Sequence, residues 1–131
     1  MSYEQFLMAL CIWREARGTP KLTMQCIREV LENRAKDSSA RWPRIIPAVI
    51  LQHAQFSSFS AGDPNAVKFP LPGSGPDWTA WMNCEVVVTD PPSSVAGGAN
   101  HYESCEPDKL PSWADPAKIT LQLGPFRFYK L

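Results

Sequence analysis

The sequence has no excess of charge of either sign: 13 Lys and Arg side chains are matched by 13 Asp and Glu. Without a net field to gather a polyanion, nucleic acid is excluded as the expected partner, and a neutral or mixed-charge one fits better. No apolar run reaches the ~18 residues of a membrane span. Met1-Ser2-Tyr3-Glu4-Gln5 offers an acid and no Lys or Arg before a short apolar run that Arg14 interrupts. That is not a secretory signal, and the expectation is a chain that folds in the cytoplasm. The cysteines, Cys11, Cys26, Cys84 and Cys105, lack any CxxC spacing. Cys11 and Cys26 fall on apolar helical faces and read as small buried hydrophobes; a Cys84–Cys105 bridge is disfavoured in a reducing compartment. The two histidines, His53 and His101, stand in no HExxH or paired-ligand arrangement, so no metal and no cofactor is expected. Internal repeats and low-complexity tracts are absent as well.

What is present suffices for one compact domain spanning residues 1–131, the expected organisation being a single catalytic domain. Hydrophobic content of 44% with 5 Trp, 6 Phe and 3 Tyr is that of a folded domain, and 13 Pro point to long irregular connections. Ser2 caps a predicted helix running to about Arg17, with Phe6, Leu7, Leu10, Cys11 and Trp13 on its buried face and Gly18 as its stop. Thr19-Pro20 opens a second amphipathic helix to about Ala35, in which Leu22, Cys26 and Val30, and alongside them Thr23, Ile27 and Leu31, share helical spacing. A short helix over Ile45 to Leu51 tolerates Pro47 in its first turn. Residues 61 to 76 hold the glycines and prolines of a long surface loop. Asp77 is the expected cap of a further helix to Thr89, carrying Trp78, Trp81, Met82, Glu85 and Val86, the two tryptophans read as core. Trp42 is likewise expected to pack. Asn100 to Glu103 and the two halves of Ile119 to Tyr129, split by Gly124-Pro125, read as a small antiparallel sheet.

Glu15 is the residue of chemical interest. Cys11, Met8 and Leu7 lie four, seven and eight positions before it, so helical spacing sets the acid on an apolar stripe facing inward. A carboxyl held against apolar side chains loses hydration of its charged form, its pKa rises, and it can stay protonated to act as a general acid. The alternative is a structural glutamate paired with Arg14 or Arg17. The short link between the first two helices buries this end of the first one at a junction where a cleft can open. Gln52 to Phe59, where amides, hydroxyls and rings alternate, has the composition that hydrogen-bonds and stacks on a sugar, or that of a polar turn anchored by two Phe.

The order of motifs resembles the SleB-type cell wall hydrolases over nearly the whole chain. Glu15-Ala16-Arg17-Gly18 is similar to the family's EARG signature, Val30-Leu31-Glu32-Asn33-Arg34 to its helix ending in Asn-Arg, and Trp42-Pro43 through Val49-Ile50 to Gln55-Phe56-Ser57 to its P…VI…QFS run. Gly98-Ala99-Asn100-His101-Tyr102 and Gly124 with Phe128-Tyr129 are similar to its Gly-Ala-x-His/Tyr-Tyr/Phe segment and closing glycine and FY pair. The chain departs from the family pattern at Arg14 and Thr19, where Gly and Glu are common, and at Pro125-Phe126-Arg127, where a His is common. The resemblance implies an α+β, lysozyme-like domain, predominantly helical with a small antiparallel sheet and a substrate cleft. It implies peptidoglycan glycan strands as partner and cleavage of the bond between N-acetylmuramic acid and N-acetylglucosamine. Glu15 is then the acid and base, and Gln55, Ser57, Asn100, His101 and Tyr102 are the candidates for orienting the sugar.

Since a hydrolase uses two carboxylates and only one is well placed here, the expectation is a lytic transglycosylase giving 1,6-anhydro products. Glu85, Asp90 and Glu103 are the candidates for a second acid. A muramidase-type hydrolase, a non-catalytic peptidoglycan-binding domain, and a zinc amidase using His53 and His101 are the competing readings. The expected state is a monomer without a membrane span, and a phage or prophage endolysin released by a holin fits the missing export signal.

Overall fold

The computed structural model describes residues 1–52, 56–73 and 75–131. Helix α1, Tyr3–Ala16, starts from a reciprocal cap: the Gln5 amide donates to Ser2 Oγ at 3.1 Å, and the Ser2 amide donates to Gln5 Oε1 at 2.9 Å. Gly18 ends it with φ +88°, a conformation open to glycine at no steric cost. Helix α2, Lys21–Ala35, enters on Pro20 and fully buries Cys26, Ile27, Val30 and Leu31. Helix α3, Ile46–Leu51, has proline in its first turn and packs on both α1 and α2. Helix α4, Pro76–Thr89, makes the most extensive helix contact, lying along α1, and also covers α2. Between these helices Trp13, Ile12, Met24, Ile27 and Leu31 are fully buried, each worth about 1.5–3 kcal/mol in apolar surface removed from water.

The polar face of α2 carries the chain from α4 to the sheet. Arg28 Nη1 donates to the carbonyls of Val87 and Asp90 at 2.6 and 2.7 Å, closing the end of α4. The Glu29 carboxylate accepts from Ser93 Oγ and the Ala96 amide at 2.8 and 2.9 Å, and Asn33 Nδ2 and Arg34 Nε donate to the Ala99 and Asn100 carbonyls. Strand β1, His101–Glu103, is delivered at that point. It pairs antiparallel with β3, Phe126–Tyr129, which pairs with β2, Ile119–Leu123, in the order β1-β3-β2. The register sets His101 opposite Tyr129, Tyr102 opposite Phe128 and Glu103 opposite Arg127. The mixed α+β architecture expected from the sequence is therefore present, hairpin included.

Several expectations need correction. Asp77 does not cap α4: the cap is Gly75, two residues earlier, the helix begins at Pro76, and that cap makes no side-chain hydrogen bond. Its buried face is Ala80, Trp81, Cys84, Val87 and Val88, while Met82 and Val86 face out. Small Ala80 and Cys84 let α4 approach its neighbours closely, whereas a count of large apolar side chains takes in Met82 and Val86 instead. Phe6 is 42% exposed and meets Trp81 edge-on, and Leu22 is 46% exposed beside a cavity rather than in the core. All four cysteines are free; Cys11, Cys26 and Cys84 are buried and Cys105 is exposed. Burial pushes the Cys26 and Cys84 thiols up to about 12, as suits residues used for packing. Trp42 packs as expected, with the Arg34 and Arg41 guanidiniums over its ring at 5.2 and 4.5 Å. Among the described residues no helix is long and apolar enough to cross a membrane.

Candidate active site

Glu15 lies in the last turn of α1, half-buried, and its carboxyl is held above the ordinary carboxylate range. Burial is the main cause. The charge of Asp63 adds to the effect, and a hydrogen bond donated by Ser58 Oγ to Glu15 Oε1 at 3.3 Å works against it. The same carboxylate acts on two other buried groups: burial first and then the Glu15 charge raise both the Cys11 thiol and the Tyr102 hydroxyl. The Glu15 charge is thus felt by two buried groups, Cys11 on α1 and Tyr102 on β1.

The two arginines beside Glu15 are engaged elsewhere, which removes the structural ion-pair reading. Arg14 is buried, its Nε and Nη1 donate to the Lys68 and Ser58 carbonyls at 3.2 Å each, and its guanidinium lies over the rings of Phe59 and Phe69 at 4.6 and 4.9 Å. Arg17 Nη2 donates to Asn65 Oδ1 at 3.0 Å, and the guanidinium covers the Trp13 ring 3.7 Å from the Asp77 carboxylate. Among the described residues no ion pair involves Glu15. These arginines instead tie down the segment holding the 3-10 turns Ser57–Phe59 and Pro64–Val67. That segment presents the Ser58 hydroxyl to Glu15 and places Asp63 near enough for its charge to be felt. Asp63 is fixed by accepting the Asn65 amide at 2.8 Å.

Of the residues singled out in the sequence, Tyr102 is near enough for the Glu15 charge to help raise its hydroxyl. Asn100 is engaged at both ends of its amide, donating to the Leu131 carbonyl at 2.9 Å and accepting the Leu131 amide at 3.0 Å. Its Oδ1 also meets His101 Nδ1 at 2.9 Å. An oxygen that accepts from a backbone amide accepts from the imidazole too, so Nδ1 carries the proton and Nε2 is the unprotonated nitrogen. His101 packs between Trp42 and Trp113, and burial, with the Arg34 and Arg41 charges, lowers its pKa to about 4. It is neutral at pH 7. Gln55 and His53 lie outside the described residues, and Ser57 is described in its backbone only, within the turn Ser57–Phe59. Among the described residues no cluster of three His, Cys, Asp or Glu could hold a metal.

Sequence reasoning missed Ser58, Asp63 and the anchoring use of Arg14. An Asp directly before a proline is a turn-cap signal and could have marked Asp63 as fixed, but nothing local says that this turn folds back onto α1. Of the acids weighed as a second carboxylate, Glu103 is bound into the sheet by Arg127 and Tyr129, Glu85 lies on α4 and Asp90 ends that helix. Asp63 is the acid whose charge reaches Glu15.

This arrangement of four helices and a three-stranded sheet shares its fold with the catalytic domains of SleB proteins. The catalytic domain of the Bacillus cereus SleB protein superposes with a TM-score of 0.65 at 24% identity, over 97% of this chain and 89% of that one. The catalytic domain of the germination-specific lytic transglycosylase SleB from Bacillus anthracis gives a TM-score of 0.66 at 22% identity, over 99% of this chain and 97% of that one. No protein-family model and no curated protein matches the sequence.

Proposed function

We propose that the chain is a peptidoglycan-degrading enzyme that cleaves the bond between N-acetylmuramic acid and N-acetylglucosamine as a lytic transglycosylase. The observation that carries this reading is the state of Glu15: a half-buried carboxyl with a raised pKa that accepts from the Ser58 hydroxyl and, among the described residues, makes no ion pair. The fold shared with a protein described as a lytic transglycosylase supports it. The lysozyme-like cleft belongs to the proposal and lies between the end of α1, the Ser57–Val67 segment and β1.

Glu15, protonated, gives its proton to the bridging oxygen as that oxygen leaves C1 of the muramyl sugar. The resulting carboxylate then takes the proton of the same sugar's C6 hydroxyl, and O6 attacks C1 to close the 1,6-anhydro ring. One carboxyl serves both steps and no water is consumed. Tyr102, which feels the Glu15 charge, with Gln55, Ser57, Asn100 and the neutral His101 as further candidates, orients the sugar. Hydrolysis is the second reading, favoured by Asp63 as a nearby second carboxylate. Mass spectrometry of muropeptides released from purified peptidoglycan separates the two: products lighter by one water establish transglycosylation, and full-mass reducing products establish hydrolysis. Absence of release refutes both and leaves a binding domain. Release to the wall by a holin, as for an endolysin, belongs to the same proposal.

The neighbours of Glu15 make a paired pH prediction. A general acid works while protonated, so activity is lost as pH rises through its pKa. Ser58→Ala removes a bond that favours the charged form, and the loss moves to higher pH; Asp63→Asn removes a repelling charge, and the loss moves to lower pH. Profiles of initial rate against pH for the two variants check this, and shifts of the same sign contradict it.

A further inference from the structure

A cavity of about 460 Å³ opens between the α1–α2 connection and the β2–β3 turn. Its walls are Pro20 and Leu22 on one side and Leu123, Pro125 and Phe126 on the other. Both walls are tight turns through left-handed glycines, Gly18 at φ +88° and Gly124 at φ +55°, so the opening is preformed. It joins the Glu15 site in two ways. Gly18, in its wall, is one helical turn beyond Glu15, and Phe126 meets Tyr102 with ring centroids 6.2 Å apart.

The lining has little to offer a sugar ring. Thr19 Oγ1 already donates to the Ala16 carbonyl at 2.7 Å, and Phe126, 8% exposed, shows no open face for stacking. A pyranose bearing hydroxyls around its edge would leave them unpaired here. Methyl groups fit. On a peptidoglycan strand the densest group of methyls beside the muramyl C1 is the lactyl ether and first alanine of the peptide stem.

We propose that this cavity binds the lactyl–alanyl head of the stem and selects stem-bearing muramyl units. This inference rests on the peptidoglycan reading above, and its test separates the two. Purified glycan strands are compared with and without stems, the latter prepared with an amidase, for the wild type and Leu22→Glu. Leu22 is partly exposed in the first turn of α2, which has no acid there, so a carboxylate suits the helix N-terminus and the variant folds. The amidase leaves the lactyl ether on the glycan, so the alanine methyl alone predicts about a fourfold higher kcat/KM on stem-bearing strands for the wild type. Leu22→Glu loses that preference through KM and keeps the wild-type rate on bare strands.

Equal turnover of both substrates by the wild type, or an equal loss on both in the variant, overturns the proposal. The second arm needs no catalysis: muramyl dipeptide titrated into Glu15→Gln shifts the methyl NMR signals of Leu22, Thr23 and Leu123, and a chitin trisaccharide does not. Equal shifts with the trisaccharide assign the cavity to N-acetyl groups and overturn the proposal. If the wild type cleaves neither strand, the enzymatic reading fails and the titration still decides what the cavity binds.

Discussion

Glu15→Gln lowers muropeptide release by roughly a hundred- to ten-thousand-fold, the range a positioned general acid contributes, and does not lower the melting temperature at pH 7. The first half follows from chemistry: the amide has the size and acceptor of the acid but no transferable proton. The second follows from linkage. The folded carboxyl has a pKa above its ordinary value of 4.5, so its contribution to stability is fully present below the unfolded pKa and is lost as pH rises through the folded one. As pH rises the unfolded chain releases this proton before the folded one does, a loss of stability that the variant does not suffer. Ser58 Oγ can still donate to the amide oxygen. Melting curves of the two proteins converge near pH 4 and separate in favour of the variant toward neutrality. Substantial residual activity removes Glu15 from the mechanism, and a lower melting temperature at neutral pH contradicts the account of its burial.

The parts of this molecule that were legible in the sequence are those decided by neighbouring residues. Ser2, Gly18, the proline of α3 and Gly124-Pro125 each act within one turn of chain, and each delimits its element as expected. Glu15 was found by the same local logic, since a stripe of apolar residues preceding an acid needs no tertiary knowledge. On helix α4 the expected core residues Trp78 and Trp81 do pack inward, while Met82 and Val86 face out, because the small Ala80 and Cys84 matter by what they admit rather than by what they bury. Leu22 fits the apolar spacing of α2, and only the distant β2–β3 turn gives it a cavity to face. The segment around Ser58 and Asp63 was least legible. Its shape depends on Arg14 and Arg17 reaching back from α1, contacts 44 to 54 residues apart in sequence. Arg14, a departure from the pattern the chain otherwise resembles, is thus the anchor of the loop that supplies the hydroxyl partner of Glu15.

Glu103→Ala lowers the melting temperature by about 10 °C, the consequence of leaving buried polar partners without their acceptor in a domain of this size. Glu103 is 5% exposed in β1 and gathers four donors: Arg127 through Nε and Nη2, the Tyr129 hydroxyl at 2.9 Å and the Cys105 amide at 2.8 Å. The hydrogen bonds from Arg127 lead the causes that hold its pKa below the ordinary carboxylate range. That stabilisation is present above the unfolded pKa and lost as pH falls through the folded one, so the deficit of the variant shrinks in acid. Activity falls as well, because β1 carries Tyr102 next to Glu103 and the Glu103–Arg127 pair fixes the register with β3. Glu103→Gln keeps the volume and one acceptor, and recovers part of both losses. A catalytic second acid would behave otherwise: activity would vanish in both variants while the melting temperature stayed at the wild-type value. Thermal melts and muropeptide release measured on the same two preparations distinguish a carboxylate that holds the sheet from one that touches the sugar.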